Sequence, residues 1–240
     1  MGYYENMRHY LTIDGKSTID FGVYLSGQGA FMAAEKNLEE FTIPGRNGSY
    51  HYKVPNTYKN VKVPYECFIF EDFKENIAAF RSFLLSRDGY VRIEDTHNPN
   101  EYRMGVYHEA FEPEVFVDLT AAQFTITFDC KPERFLKSGE KAITVTSSKK
   151  IVNRTNFIAK PLLRCYGPSG SVTINGVKVS LSGVSTKADI DCDIQETIPT
   201  SLNSSTILDN GEFPSLAPGD NTVTITGFSK VEVFPRWWIL

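Results

Sequence analysis

Residues 128–140 mark the place where the chain changes character, and they read Phe128-Asp129-Cys130-Lys131-Pro132-Glu133-Arg134-Phe135-Leu136-Lys137-Ser138-Gly139-Glu140. The residues before them, Gln123 to Phe128, alternate polar and apolar side chains as a half-buried strand does. Pro132 has no backbone N–H for a sheet ladder and favours an extended residue before it, so the strand has a physical reason to end here. An exposed polar connector is expected from Leu136 to Glu140.

Two domains of different construction are expected on the two sides of this stretch, 1–133 and 134–240. The length of 240 residues and the apolar content of 41% are sufficient for two packed cores. After the junction, short runs rich in Val, Ile and Thr are separated by Gly, Asn and Ser, and no helical periodicity appears.

Strand signals separated by turns dominate the first half. Tyr10 to Leu25 predicts a hairpin with Asp14-Gly15 at its turn, because Asp and Gly accept the positive φ values of a tight turn. Asn47-Gly48 gives the same signal within Phe41 to Tyr52. Further strands are predicted at Val61 to Phe70, Tyr90 to Glu94 and Tyr102 to Tyr107, the last two joined through His97-Asn98-Pro99-Asn100.

One helix is predicted after Asp72, which with Glu75 at the third helical position forms a capping pattern. Gly89 is expected to close its C-terminus. Apolar residues recur at helical spacing on one face: Phe73, Ile77, Phe80 and Leu84. This apolar stripe must pack on a sheet, so the first half is predicted to be mainly β with one covering helix.

The second half is predicted to be a β-sandwich of jelly-roll type, because short strands follow one another without helices. Ile174-Asn175-Gly176-Val177 is a tight hairpin candidate. The predicted strands are 142–146, 161–166, 171–174, 177–181, 187–194, 221–226 and 230–234.

Five pieces of the sequence, taken in their order and spacing, resemble one known family. They are Phe41-Thr42-Ile43-Pro44-Gly45-Arg46-Asn47-Gly48, Ser86-Arg87-Asp88-Gly89-Tyr90-Val91-Arg92-Ile93-Glu94-Asp95, Phe128 to Leu136, Asn153-Arg154-Thr155 with Lys160-Pro161, and Pro235-Arg236-Trp237-Trp238. The chain resembles the distal tail proteins (Dit) of long-tailed phages that infect Gram-positive bacteria, and the resemblance covers nearly the whole chain.

The resemblance implies a non-enzymatic structural protein of the virion tail tip or baseplate, encoded by a phage or prophage and assembled in the cytoplasm of the bacterial host. It implies a hexameric ring formed by residues 1–133, with a galectin-like C-terminal sandwich, 134–240, that projects outward. The implied partners are the tail tube protein, the tail-associated hub or lysin protein, and receptor-binding parts used in host attachment. The residues of the ring interface remain unassigned.

The net charge of −4 is distributed unevenly between the two halves. Residues 1–133 contain 13 Lys and Arg against 20 Asp and Glu, whereas residues 134–240 contain 12 against 9. Neither half is basic enough to predict nucleic-acid binding. An acidic first half would suit a ring through which DNA passes, because it offers few cationic contacts to phosphate.

The chain carries no signal for secretion or for a membrane span, since Met1 to Arg8 lack the apolar segment of a signal peptide and no later run is long enough to cross a bilayer. The four cysteines lie in apolar-alternating runs without a CxxC spacing: Cys67, Cys130, Cys165 and Cys192. They are predicted to be small core side chains, which agrees with synthesis in a reducing cytoplasm.

Two clusters of the sequence contain residue types that bind metals. Asp189-Ile190-Asp191-Cys192-Asp193-Ile194 places three carboxylates on one face of a predicted strand, but Ile194 and Thr200 stand where a calcium loop needs Gly and Glu, so a solvated strand face is favoured. Glu94-Asp95-Thr96-His97, with His108 nearby in sequence, is better explained by turn chemistry after a strand. No metal ligand is predicted.

Catalytic and cofactor motifs are missing their defining residues. Gly167-Pro168-Ser169-Gly170 and Gly183-Val184-Ser185 both depart from the GxSxG pattern, and neither precedes a predicted helix. Gly27-Gln28-Gly29 lacks the third glycine of a phosphate-binding loop. No catalytic or cofactor-binding residue is predicted.

An alternative function stays open, namely a carbohydrate-binding module or a sugar-processing enzyme built on the sandwich. Aromatic residues make up 13% of the chain, and exposed Trp and Tyr are natural platforms for sugars. Trp237 and Trp238 are adjacent, however, so on a strand they point to opposite faces and only one could face a ligand. Burial in a core or interface is favoured for them.

Overall fold

The structure is a computed structural model in which 52% of the residues lie in strands. Contacts divide the chain into two units, Met1–Arg134 together with Leu240, and Phe135–Ile239. The described residues are 9–27, 31–70, 72–116, 120–199, 205–208 and 211–240. The predicted mainly-β fold class is confirmed.

The N-terminal unit is built on one antiparallel sheet of order β2-β1-β7-β8-β10-β6-β3, with β9 paired to β10. Strands β4 and β5 form a separate two-stranded sheet. In chain order the strands are β1 (Leu11–Ile13), β2 (Lys16–Ser17), β3 (Val23–Leu25), β4 (Lys36–Thr42), β5 (Ser49–Tyr58), β6 (Val61–Ile69), β7 (Val91–Asp95), β8 (Glu101–Val106), β9 (Glu114–Val115) and β10 (Ala122–Cys130).

The pairing of β6 with β10 runs over nine residue pairs, from Ala122↔Ile69 to Cys130↔Val61. Both strands alternate buried and accessible residues along this ladder. Successive side chains of a strand point to opposite faces, so the alternation gives the sheet one apolar face and one polar face. The core of the unit lies on the apolar face.

The turn of the first predicted hairpin is confirmed. Its predicted second strand is wrong over the residues that follow Ser17. Asp14 and Gly15 have φ values of 50° and 78°, and β1 pairs with β2 around them. After Ser17 the chain forms a short 3-10 turn instead of a strand. The buried Thr18 hydroxyl accepts a hydrogen bond from Leu11 N at 3.2 Å, which draws the chain inward at this point.

The predicted helix is confirmed as α1 (Phe73–Leu85), within the described residues the only α-helix. Its ends differ from the prediction. Asp72 precedes the helix with a φ of 42°, and its side chain makes no capping hydrogen bond. The helix ends at Ser86, whose hydroxyl donates to Phe83 O at 2.9 Å, so Gly89 lies beyond the helix end, in the turn that follows.

An aromatic cluster joins α1 to the sheet. The Phe80 ring lies 5.7 Å from that of Phe21 and 5.8 Å from that of Phe124, and Phe83 stacks on Phe21 at 5.0 Å. Phe80 is fully buried. Burial of a Phe side chain stabilises a fold by about 1.5–3 kcal/mol, so this cluster holds the helix on the apolar face of the sheet.

The C-terminal unit contains two five-stranded antiparallel sheets of order β12-β21-β14-β17-β18 and β13-β20-β15-β16-β19. Each sheet has one buried face, as the predicted β-sandwich requires. The strands that follow β10 are β11 (Arg134–Leu136), β12 (Ile143–Val145), β13 (Ser148–Asn153), β14 (Leu162–Tyr166), β15 (Gly170–Ile174), β16 (Val177–Ser182), β17 (Lys187–Asp191), β18 (Glu196–Pro199), β19 (Ser205–Leu208), β20 (Gly219–Thr226), β21 (Lys230–Phe234) and β22 (Trp238–Ile239).

Most predicted strands of this unit are confirmed, including the hairpin at Asn175-Gly176, whose φ values are 52° and 89°. The prediction missed β11, β13, β18, β19 and β22. β11 and β22 are only three and two residues long, too short for an alternating pattern. The other three lie at sheet edges, where a strand pairs on one side and carries many polar side chains, so its sequence pattern is weak.

The expected exposed connector is wrong at two positions. Leu136 N donates to Trp237 O at 2.8 Å, and Gly139 is buried, with its carbonyl accepting from Arg236 N at 3.0 Å. A Cβ on Gly139 would lie 2.3 Å from Trp237 N, so only glycine permits this approach. Backbone hydrogen bonds therefore hold the first and the last residues of the C-terminal unit together.

A half-buried ion pair links Arg236 to Asp191, the last residue of β17. Arg236 Nη1 and Nη2 each donate to Asp191 at 2.7 Å, in a two-pronged contact. Burial alone would raise the pKa of Asp191, but the bonds from Arg236 and from the Asp193 and Ile194 amides outweigh it and hold that pKa below its ordinary value. Arg236 itself has a φ of 56°, a strained value for a residue with a side chain.

The proposed domains 1–133 and 134–240 stay a prediction that expression of residues 134–240 alone would test. The hydrogen bonds just described lie within 135–239, so we expect this fragment to unfold in one cooperative thermal transition followed by circular dichroism. A fragment that shows no transition, or that is soluble only when fused to residues 1–133, would contradict the division.

Replacement of Asp191 by Asn should lower the free energy of unfolding by about 2–3 kcal/mol at pH 7, because Arg236 loses its charged acceptor. The pKa of Asp191 is lowered in the folded state, so its stabilisation is present above about pH 4 and is lost as the pH falls through the folded pKa. Urea unfolding at pH 7 and pH 3 checks this. The difference between the variant and the wild type should shrink at pH 3.

Asp220→Asn is the matched control, since Asp220 forms an exposed ion pair with Lys150. Exposed pairs contribute about 0–1 kcal/mol, so this variant should stay close to the wild type at both pH values. Equal effects of the two substitutions at pH 7 would contradict the role assigned to Asp191.

Candidate functional site

The most unusual surface of the N-terminal unit is the hairpin formed by β4 and β5, which we call the arm (residues 36–58). Its strands pair with each other and with no strand of the main sheet. The side chains from Glu35 to Tyr52 are all exposed. The chain reverses between the two predicted strands, but through the loop 43–48 and not through a two-residue turn at Asn47-Gly48. Thr42↔Ser49 is the last pair, and the hydrogen-bonded turn lies earlier, with Arg46 N donating to Ile43 O at 3.2 Å.

One face of the arm is aromatic. Phe41 pairs with Tyr50, and Glu39 pairs with Tyr52, so these four side chains lie on the same face of the hairpin. The exposed fractions are 51% for Phe41, 58% for Tyr50 and 51% for Tyr52. Leu38 and Ile43 add two further exposed apolar side chains to the arm. Large rings exposed together on an isolated hairpin are typical of an interaction surface.

The arm lacks a core of its own. An isolated two-stranded hairpin is at best marginally stable in water, and a stable sheet needs a third strand or a surface against which to pack. No such surface is available to residues Glu35 to Tyr52 within the described part of the chain, because all of these side chains remain exposed. The arm is therefore the candidate functional site of the molecule.

Glu94 and Asp95 end β7, and Thr96 and His97 begin the turn that follows the strand, as predicted. Asp95 Oδ1 accepts from Asn98 N at 2.8 Å, and Thr96 Oγ1 lies 3.1 Å from His9 Nδ1. The His97 ring stacks on that of His9 at 3.9 Å, and burial, with His9 beside it, lowers the pKa of His97. Among the described residues, no group of three or more His, Cys, Asp or Glu is arranged to hold a metal ion.

An acidic cleft of about 600 Å³ lies on the polar face of the main sheet. Its carboxylates are those of Glu66, Glu109, Glu112 and Glu114. Glu109 pairs with Lys62 at 3.0 Å, and Glu114 accepts from Gln123 at 3.0 Å. The cleft thus concentrates negative charge on one side of the unit, in line with the acidic balance of residues 1–133.

The carboxylates of β17 do not share one solvated face. Arg164 binds Asp189 through Nε and Nη2 at 2.9 and 2.8 Å, and Asp191 is 8% exposed and bound to Arg236. The predicted strand over Lys187 to Ile194 ends at Asp191, because the chain turns there around the Asp191 carboxylate. Thr200, at the position where a calcium loop needs Glu, lies outside the described residues.

All four cysteines are buried, in agreement with the sequence analysis. Burial raises the pKa of the Cys130, Cys165 and Cys192 thiols to about 12 and raises that of Cys67 still further. A thiol is nucleophilic as the thiolate, so these side chains are suited to packing and not to chemistry.

The two serine turns of the second half come together, since Val184 N donates to Pro168 O at 3.0 Å. All four histidines of the sequence lie at or before His108, so neither Ser169 nor Ser185 has a histidine within the C-terminal unit to act as a base. Gln28 and Gly29 of the glycine-rich passage lie outside the described residues, as do Met1 to Arg8.

Trp238 packs in the core of the C-terminal unit. Its ring stacks on Phe157 at 4.3 Å, and its Nε1 donates to Ile158 O at 2.9 Å. The predicted burial is confirmed for Trp238. This ring is consequently not available as a platform for a sugar.

Sequence reasoning missed the arm as an interaction site, although it predicted the two runs and the reversal between them. The available signal was the repeated placement of Phe and Tyr beside Glu and Lys in Glu39-Glu40-Phe41 and Tyr50-His51-Tyr52-Lys53. That pattern also fits a strand packed on its own core. Only the topology shows that no core lies beneath it.

Comparisons with known proteins identify the fold. The crystal structure of the SPP1 Dit (gp 19.1) protein, described as a paradigm of the hub adsorption apparatus in phages infecting Gram-positive bacteria, superposes with a TM-score of 0.72 at 16% identity. The match covers 97% of this chain and 99% of that chain. The resemblance found in the sequence is confirmed at the level of the fold.

Two structures of the phage P2 baseplate in its activated conformation give further matches. The structure with Ca has a TM-score of 0.57 at 11% identity and covers 95% of this chain and 97% of that chain. The structure with Sr has a TM-score of 0.55 at 11% identity and covers 94% and 96%. No family model matches the chain, and no curated protein matches its sequence.

Proposed function

We propose that this protein is a structural component of a phage tail tip or baseplate and that its N-terminal part, residues 1–133, assembles with copies of itself into a closed ring of six subunits. The observation that carries the proposal is the fold match with the SPP1 Dit protein over 97% of the chain. A match that spans both units supports a shared architecture and not merely a shared β-sandwich.

The arm is the surface that we assign to self-assembly. Its aromatic face is exposed, and between Lys36 and Tyr52 its strands pair only with each other among the described strands. Packing on a second copy would remove the rings from water, and a ring of identical copies would supply the same neighbour to every arm. Mixed charges beside the rings, such as Glu39 and Arg46, would help to fix the register of the contact.

The ring would act as a hub between other proteins of the tail. We propose that it joins the tail tube protein on one side to the tail-associated hub or lysin protein on the other, with receptor-binding parts attached at its periphery. The location would be the tail tip of the virion, after assembly in the cytoplasm of the bacterial host. Within the described residues no helix is long and apolar enough to cross a membrane.

A structural role without catalysis is supported by the chemistry of the side chains. The cysteines are buried with raised pKa values, and the two serine turns lie in a unit whose sequence contains no histidine. These thiols and serine hydroxyls are therefore not arranged as activated nucleophiles.

The arm assignment predicts that Phe41→Ser combined with Tyr50→Ser abolishes self-association. Aromatic anchors at an interface contribute on the order of 2–4 kcal/mol each, so loss of both should weaken each subunit contact by several orders of magnitude. Sedimentation velocity of the wild type should give the mass of six subunits at high concentration, and the variant should sediment as one subunit.

Ile207→Ser is the matched control, because Ile207 is an apolar side chain of similar exposure, 59%, on an edge strand of the C-terminal unit. This variant should assemble like the wild type. A wild type that stays a single subunit at high concentration, or an arm variant that still assembles, would contradict the proposal.

The charge distribution predicts that the protein does not hold duplex DNA. Residues 1–133 are acidic, and the cleft on the polar face of the sheet carries Glu66, Glu112 and Glu114, so a lumen formed by this half would repel phosphate. Fluorescence anisotropy of a labelled duplex at low salt should detect no binding at micromolar protein.

Replacement of Glu66, Glu112 and Glu114 by Lys should create salt-sensitive binding, which verifies that the assay reports on this surface. Micromolar affinity of the wild type that maps to residues 1–133 would contradict the acidic lumen.

A further inference from the structure

The N-terminal unit buries one arginine, Arg103, on the apolar face of its main sheet. Arg103 lies opposite Ile93 in the β7–β8 ladder and is 5% exposed. Burial lowers the pKa of its guanidinium, as expected for a charge removed from water. A buried charge costs several kcal/mol in desolvation, and an apolar side chain of similar volume would often be the more stable choice. This position therefore calls for a role that an apolar side chain cannot perform.

Arg103 donates a hydrogen bond to the segment that precedes the arm. Its Nη2 donates to Met32 O at 2.8 Å, whereas Nη1 has no partner among the described residues. The neighbouring carboxylates are engaged elsewhere, since Glu101 pairs with Arg134 and Asp95 accepts from Asn98. The directional bond of this guanidinium thus goes to the main chain of a segment 71 residues away in sequence.

Met32 stands four residues before the first arm residue, Lys36, in a segment without regular structure. Phe31 is 64% exposed, and Met32, which is 39% exposed, lines a cavity with Tyr65, so apolar burial of this segment is only partial. Lys59 N donates to Glu35 O at 2.9 Å. That bond closes the base of the hairpin, but it joins the two arm strands to each other and not to the sheet.

The second end of the arm is fixed in a different way. After Tyr58 the chain enters β6 within three residues, and Asn60 Nδ2 donates to Tyr90 OH at 2.9 Å. An arm held at one end pivots about that end, whereas a second point of attachment defines its direction. Among the described hydrogen bonds, the one from Arg103 to Met32 O supplies this second point before β4, and it is directional where the partial burial of the Met32 side chain is not.

We propose that Arg103 is a positioning residue that fixes the direction in which the arm leaves the subunit, so that the arm is presented ready for its neighbour. Its importance for assembly rests on the proposed function, because a pre-oriented arm loses less conformational freedom on docking. The anchoring itself is a property of the single subunit and can be measured without assembly.

The test is a distance measurement by double electron–electron resonance between spin labels at Asn47→Cys, in the arm loop, and Arg81→Cys, on the exposed side of α1. The native thiols are buried, so labelling is directed to the introduced ones. Labelled full-length protein diluted into unlabelled protein should give a single narrow distance peak. Arg103→Met should replace this peak by a broad distribution.

Arg92→Met is the matched control, because Arg92 lies on the neighbouring strand β7, stacks on Tyr102 at 3.8 Å and pairs with Glu94. The same substitution there should keep the narrow peak. Arg103→Lys retains a donor on a stem of similar reach and should give a distribution narrower than that of Arg103→Met, and it decides the question if Arg103→Met fails to fold.

A narrow peak in both folded Arg103 variants would overturn the proposal, as would equal broadening in Arg92→Met. The wild-type mass in solution tests self-assembly separately. A protein that never assembles but shows the broadening only in Arg103→Met would contradict the ring and still support the anchoring role of Arg103.

Discussion

The antiparallel ladder between β6 and β10 is the interaction on which the N-terminal unit depends. Its nine residue pairs fix which side chains face the core, so a shift of one residue would turn Phe124, Ile126 and Phe128 towards water. The same ladder fixes the two features that matter for function. It begins at Val61, directly after the arm, and it ends at Cys130, just before the boundary of the unit. Its polar face carries the acidic cleft, because Glu66 and Thr125 alternate with buried neighbours.

The main sheet and the arm therefore differ in local stability. The main sheet and α1 share an aromatic core, whereas the described side chains of the arm from Lys36 to Tyr52 are all exposed and form no core. Such an element is at the low end of local stability in a single subunit and gains stability when a partner covers it. Burial of Arg103 fits the same logic, since a directional bond to Met32 O sets geometry where an apolar side chain would only add packing. The molecule thus gives up stability at the places to which we assign contacts with other chains.

The sequence predicted the regular parts of the fold because their patterns are local. Alternation over Gln123 to Phe128, the helical spacing from Phe73 to Leu84 and the turn at Asn175-Gly176 each follow from backbone geometry. The features it missed depend on residues far apart in the chain. Asp191 leaves the strand face because Arg236 binds it, Gly139 is buried because the chain end returns to it, and the arm is exposed because no strand pairs with its edges. The edge strands β18 and β19 lack a clear pattern for a related reason, since only one side of each is paired.

The central claim is that copies of this chain close into a ring through their arms, and single-particle electron cryo-microscopy of the full-length protein tests it most directly. The account predicts class averages with sixfold symmetry in which each arm lies on the neighbouring subunit and its aromatic face is covered. Particles of one subunit at concentrations where aggregation is absent, or a ring in which the arms contact nothing, would contradict it.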